Sequence, residues 1–232
     1  MLDRWYGVLA FLLFDLIAFI AVAAITYRWF FKRVFDFLVS GVCLIALSPV
    51  YLILYLRAIG AKKRGEIEKT VLKTKYIGKK GKTVYLRRYA LGKECGQFSL
   101  YSLIDVFCGK LSFVGCMPFR PSDAEFLDSD EEERHRAKPG LLNPLLLNGD
   151  GDTTYDDMVE NDVRYAEEFS LWTDCKIFFT WILKKIRGEG KEYLGEANRT
   201  SYANSLLTDE RISKEDYERA LALDKEIETE EV

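Results

Sequence analysis

Two apolar stretches at the start of the chain constrain what it can fold into. Residues 5–27 form the first. At ~1.5 Å rise per residue, a helix of that length crosses a hydrocarbon core of ~30 Å. Asp15 is the single charge inside it, and Arg28, Lys32 and Arg33 follow. Basic residues collect on the cytoplasmic side of membrane segments, so the N-terminus is expected outside and the following chain inside. A carboxylate near the bilayer centre costs at least ~2.5 kcal/mol. Asp15 is therefore expected to face protein, either the second stretch or a partner chain.

Residues 37–56 form the second stretch, and both of its flanks are basic. Lys32 and Arg33 precede it; Arg57, Lys62, Lys63 and Arg64 follow. A spanning helix would put one of these clusters on the wrong side, whereas a helix that enters and returns satisfies both. Ser48-Pro49 lies past the middle. Proline removes a backbone donor and clashes with the preceding turn, and serine can re-satisfy freed backbone groups, as a bent, re-entrant helix requires. A kinked spanning helix is the plain alternative.

The formal net charge of −3 hides a strong asymmetry. Residues 57–93 hold 13 Lys/Arg against Glu66 and Glu68, while residues 208–232 hold ten acids against four bases. A basic run beside an apolar segment reads as a cytoplasmic membrane face. No aromatic-basic recognition motif accompanies it, so nucleic acid is not an expected partner. The five cysteines show no C-x-x-C spacing, which argues against a zinc site or a disulfide framework.

Beyond the membrane segments the pattern is mixed. Tyr76-Ile77 and Thr83-Val84-Tyr85-Leu86 predict a hairpin around Gly78-Lys79-Lys80-Gly81. Leu100, Leu103, Ile104 and Phe107 have helical spacing, with Gly109 as the stop. Residues 111–114 predict a short strand, 123–133 a solvated acidic stretch, Pro139-Gly140 a turn, and 156–169 an exposed helix. The stretch 170–187, capped by Ser170, carries Trp172, Ile177, Phe178, Trp181 and Ile182 beside Lys176, Lys184, Lys185 and Arg187. It fits a helix at the headgroup level or a core helix equally well. Asn148-Gly149-Asp150-Gly151-Asp152 reads as a turn, since Thr153 and Val159 break a calcium-loop pattern. His135, the sole histidine, reads as structural or exposed rather than catalytic.

Four stretches together resemble the monotopic phosphoglycosyl transferases, the bacterial sugar transferases. They are Lys32-Arg33-Val34-Phe35-Asp36 with the apolar run to Ser48-Pro49; residues 103–118, LIDVFCGKLSFVGCMP; residues 134–140, RHRAKPG; and Asp162-Val163-Arg164-Tyr165 with residues 169–177. The resemblance implies transfer of a sugar phosphate from a nucleotide sugar to a polyprenyl phosphate. It also implies an Asp nucleophile with an adjacent Glu, a Mg²⁺ ion, a re-entrant helix and an interfacial helix after Ser170.

At the positions of that acidic pair this chain has Phe98 and Ser99. Phenylalanine can neither attack phosphorus nor hold a metal. Asp105 takes the place of the family's Asn, Met117 that of a phosphate-binding Arg, and Arg120 is the candidate replacement phosphate contact.

The expected fold is α/β: a small membrane-associated mixed domain with a re-entrant helix hairpin, interfacial amphipathic helices and an extra N-terminal transmembrane helix. The expected divisions are 1–29 for that helix, 30–60 for the re-entrant segment, 61–207 for the transferase-like domain and 208–232 for an acidic tail. The expected role is a non-catalytic membrane scaffold in bacterial polysaccharide or glycoconjugate synthesis, with no catalytic carboxylate pair retained, no metal site and no cofactor. It would sit on the inner membrane with its domain on the cytoplasmic face. Expected partners are the bilayer, an active phosphoglycosyl transferase or glycosyltransferase, or further copies in a homo- or hetero-oligomer. The alternatives are an active transferase with displaced groups that uses Mg²⁺, and a ligand sensor without turnover.

Overall fold

Helix α1, Leu2–Thr26, passes through a π-helical turn, Tyr27–Phe31, into α2, Lys32–Ala46. The computed structural model describes residues 2–66, 71–89, 101–189 and 192–225. The apolar part of α1 is Tyr6–Val22, and among the described residues no single helix is long and apolar enough to cross a membrane. The far end of the expected span over 5–27 meets the domain at Tyr27. Its ring is buried and its hydroxyl donates to Asp174. Asp15 is exposed on α1.

That second stretch is broken as its sequence requires. Helix α2 ends at Leu47 and α3, Ser48–Lys63, begins at an angle of 68°. Pro49 occupies the first turn of α3, where its missing N–H costs nothing. Leu38, Val42, Ile45, Leu52, Ile53 and Leu56 stay exposed, while Ala58 and Ala61 near the end of α3 are fully buried.

The hairpin forms as expected. Strand β1, Val71–Ile77, pairs antiparallel with β2, Thr83–Tyr89, around a 3₁₀ turn at Lys79–Gly81. Helix α4, Ser102–Phe107, stops at Gly109, whose φ of +81° suits glycine. Strand β3, Ser112–Val114, pairs in parallel with β4, Gly140–Leu142. Pro139-Gly140 therefore opens a strand rather than forming a turn. A Cβ on Gly140 would lie 2.1 Å from Gly115 N, so only glycine lets these two backbones meet.

The carboxyl-terminal half departs further from expectation. Asp123, in the short helix α5 (Pro121–Ala124), is buried and accepts from Ala203 N, so 123–133 is not uniformly solvated. Helix α6, Tyr155–Glu168, buries one full face through Met158, Val159, Asp162, Tyr165 and Ala166. Helix α7, Leu171–Ile186, starts at the expected Ser170 cap and serves two surroundings at once. Ile177, Phe178 and Trp181 pack on the core, while Trp172, Phe179, Leu183 and Ile186 face outward. The acidic tail is not wholly free: after α8, Tyr202–Thr208, helix α9, Lys214–Lys225, packs on α5, and Asp224 accepts from Ser122 N and Oγ. The result, among the described residues, is a mixed domain, mostly helical, with two small two-stranded sheets.

Candidate functional site: a basic cleft at the foot of the bent helix pair

The first turn of α2 places three charged side chains at one end of the helix. Lys32 and Asp36 lie four residues apart and share a face, with Arg33 beside them. Each grips a different element. Lys32 Nζ donates to Asp174 on α7, to Tyr165 Oη on α6 and to the Val114 carbonyl on β3. It also sits over the rings of Tyr27, Tyr165 and Phe169. Arg33 donates from Nη1 to the Val106 carbonyl and from Nη2 to the Phe107 carbonyl, both at 2.8 Å. These carbonyls end α4, where the helix dipole is negative and a cation is favoured. Asp36 accepts from Ser112 Oγ and from Phe113 N, both at 2.8 Å.

Between these grips lies a cleft of about 270 Å³, lined by Lys32, Arg33, Asp36, Lys79, Ser112 and Lys138 with Ala137 and Phe169. Lys138 Nζ donates to the Gly109 carbonyl, adding a second cation at the end of α4. Burial lowers the Lys138 pKa, and Arg33, Lys79 and Lys32 lower it further against the pull of Asp36. Lys32 is offset by Asp174, and Asp36 offsets one more charge, so the cations of the cleft exceed their carboxylates by two. A partly enclosed excess of positive charge is the arrangement that attracts phosphate.

The expected site residues distribute unevenly. Lys32, Arg33 and Asp36 meet in the cleft; Ser48 and Pro49 form the bend. Phe98 and Ser99 lie outside the described residues. Arg120 is not in the cleft lining but pairs with Tyr76 near Asp123 and Asp224. Met117 is buried, with its N–H on Asp162 and its carbonyl on Arg134. Asp105, fully buried, accepts from the backbone N, Nε and Nη2 of Arg87. Lys138, Lys79, Ser112 and the partner carboxylate Asp174 escaped sequence reasoning. The one available signal for Ser112, Lys138 and Asp174 was their place within the blocks that resemble the family, and Lys79 lies outside those blocks.

A second charged group lies deeper. Arg134 bonds Asp162 and stacks 3.5 Å over the Phe119 ring, and Asn143 Nδ2 donates to Asp162. Burial lifts the Asp162 pKa to about 6, although Arg134 and Met117 N oppose the rise. Among the described residues the five buried carboxylates, Asp36, Asp105, Asp123, Asp162 and Asp174, all accept hydrogen bonds from the protein. Among the described residues no group of three metal-ligating side chains converges, and both oxygens of Asp36 already accept protein hydrogen bonds.

Residues 86–188, from β2 through α7, match the family model described as bacterial sugar transferase. Over that region the chain is similar to the bacterial sugar transferases. Relatives agree. Galactosyl transferase CpsE of Streptococcus agalactiae is 31% identical over 87 residues, covering 37% of this chain and 19% of that protein. The uncharacterized sugar transferase EpsL of Bacillus subtilis is 26% identical over 106 residues, covering 46% and 52%. UDP-glucose:undecaprenyl-phosphate glucose-1-phosphate transferase of Klebsiella pneumoniae is 27% identical over 188 residues, covering 66% and 40%. The chain thus spans from about a fifth to about half the length of these relatives. The matched region supplies Ser112, Ala137, Lys138 and Phe169 to the cleft, the foot of α2 supplies Lys32, Arg33 and Asp36, and the hairpin turn supplies Lys79.

Proposed function

We propose that this chain binds the phosphate groups of a nucleotide sugar and a polyprenyl phosphate at the cytoplasmic face of the bacterial inner membrane, in polysaccharide synthesis. One observation carries the reading: the foot of the bent apolar helix pair is also the wall of the basic cleft. A phosphate on a membrane lipid lies at the headgroup level, which is where such a foot would stand.

Membrane re-entrance fits the same geometry. Each arm of the pair is about 22 Å long at ~1.5 Å per residue. With arms tilted symmetrically about a 68° bend, the apex reaches about 13 Å deep, within one leaflet of a ~30 Å core. Both ends return to the domain: Lys32 is bonded into it, Ala58 and Ala61 are buried, and Val71 follows Lys63 by eight positions. The outward row Trp172, Phe179, Leu183 and Ile186 on α7, with Lys184 and Lys185 beside it, suits contact with the same surface. Exposed Asp15 on an apolar helix suits a polar partner within the membrane.

Two readings of the chemistry follow. The names of the relatives support a transferase, in which a P–O bond forms between the sugar-bearing β-phosphorus of a UDP-sugar and an oxygen of the polyprenyl phosphate, the bond from that phosphorus to the bridging oxygen breaks, and UMP leaves with the bridging oxygen. Phe98 and Ser99, together with the protein hydrogen bonds made by the five buried carboxylates among the described residues, support a non-catalytic partner of an active transferase or glycosyltransferase. The purified full chain, incubated with UDP-sugars, undecaprenyl phosphate and Mg²⁺, separates them. UMP release that Lys138→Met abolishes establishes the transferase. Saturable pyrophosphate binding without UMP release establishes the non-catalytic role. Failure to bind pyrophosphate at all defeats both.

A further inference from the structure

A second cavity, about 490 Å³, opens directly beside the cleft. The two share both walls. On the hairpin turn, Lys79 lines the cleft and the next residue, Lys80, lines the second cavity. On the opposite wall, His135 and Arg136 line the second cavity, and the next residues, Ala137 and Lys138, line the cleft. Consecutive Cα atoms are ~3.8 Å apart, so the cavities adjoin along a shared ridge. The hairpin turn and the 3₁₀ turn Glu131–Arg136 pack together, which fixes that ridge.

Their charges differ in kind. The second cavity balances Lys75, Lys80 and Arg136 against Glu125, Glu132 and Glu133. It also has an apolar wall in Ile77, Pro121 and Leu223. The cleft, by contrast, holds a positive excess. A nucleotide sugar has the same contrast along its length: a neutral base and ribose, then an anionic diphosphate. Resting on the phosphate-binding reading of the cleft, we infer that the second cavity is the nucleoside subsite, with the diphosphate crossing the ridge between Lys80 and Arg136 into the cleft. The apolar wall covers a base face, and the glutamates accept from ribose hydroxyls. Burial beside Arg134 lowers the His135 pKa to about 4, so the imidazole is neutral at pH 7. A neutral imidazole offers one donor and one acceptor, matching the carbonyl and N–H edge of uracil.

Isothermal titration of the full chain in detergent tests this with three probes: UDP, uridine and inorganic pyrophosphate. UDP should bind at least tenfold tighter than pyrophosphate. Ser129→Trp, which fills the second cavity from an exposed rim position, should erase that advantage and leave pyrophosphate binding unchanged. His135→Ala provides an independent variant and should reduce the same advantage. UDP no tighter than pyrophosphate, or a full advantage kept in both variants, overturns the nucleoside subsite while the cleft reading stands. No binding of UDP or pyrophosphate overturns the cleft reading, and this inference with it.

Discussion

Lys32 Nζ lies 2.5 Å from Asp174 Oδ2, and this buried ion pair joins the foot of the bent helix pair to α7. Asp174 also accepts from the hydroxyls of Tyr27 and Tyr165, so its charge is solvated by three donors in place of water. Removing one member of such a pair strands the other, which typically costs about 3–5 kcal/mol. Lys32→Met and Asp174→Asn should each lower the thermal unfolding midpoint of the detergent-solubilised chain. The double variant should cost clearly less than the two added together, because neither charge is then left alone. Strict additivity would show that the pair is not coupled.

Asp105→Asn restores the residue that the family resemblance places there, yet it should destabilise this chain. Asp105 holds Arg87 through three donors, one of them a backbone N–H of β2. An amide offers a single acceptor oxygen and its NH₂ opposes the guanidinium. The expected loss is about 1–3 kcal/mol, visible as a lower midpoint in chemical denaturation. An unchanged midpoint would mean that Arg87 is held by other contacts.

Local pattern made some of this architecture legible. The hairpin followed from β-prone runs around Gly78 and Gly81, the break from Ser48-Pro49, and the start of α7 from Ser170, because each signal acts within a few residues. The cleft was not legible in that way. Lys32 and Asp174 are separated by 142 positions, and Lys138 reaches the Gly109 carbonyl from 29 positions away. No periodicity encodes such pairings; tertiary packing does. The packing of helix α9 on α5, with Ala220 buried, was not legible for the same reason.

Gly140→Ala should abolish the β3–β4 pairing. The added methyl would sit 2.1 Å from Gly115 N and 2.6 Å from the Val114 carbonyl carbon, and both are backbone atoms that cannot rotate away. Val114 is also the strand residue whose carbonyl receives Lys32. The variant should therefore lose pyrophosphate binding as well as stability. Gly151→Ala, where an added methyl meets nothing within 4 Å, serves as the control and should keep both. A Gly140→Ala protein that still binds pyrophosphate would separate the cleft from the small sheet.

His135 gives the domain a distinctive dependence on acidity. Its folded pKa is about 4 against an ordinary value of 6.5, because burial and the neighbouring Arg134 disfavour the charged ring. Between these values the unfolded chain binds the proton and the folded chain does not. Stability is therefore full above about pH 6.5, falls as the pH drops towards about 4, and loses nothing more from this group below that. The full shift corresponds to about 3 kcal/mol, reduced to about 1–2 kcal/mol because the ring is partly exposed to solvent. Asp162 works in the opposite sense, since burial raises its pKa to about 6 and its protonation favours the folded state as the pH falls. Only the comparison of wild type with His135→Gln isolates the histidine. With no other histidine in the chain, the variant should lose less stability between pH 7.5 and pH 5 than the wild type does, measured as the difference in unfolding midpoint. Parallel curves for the two proteins would place the His135 ring in water.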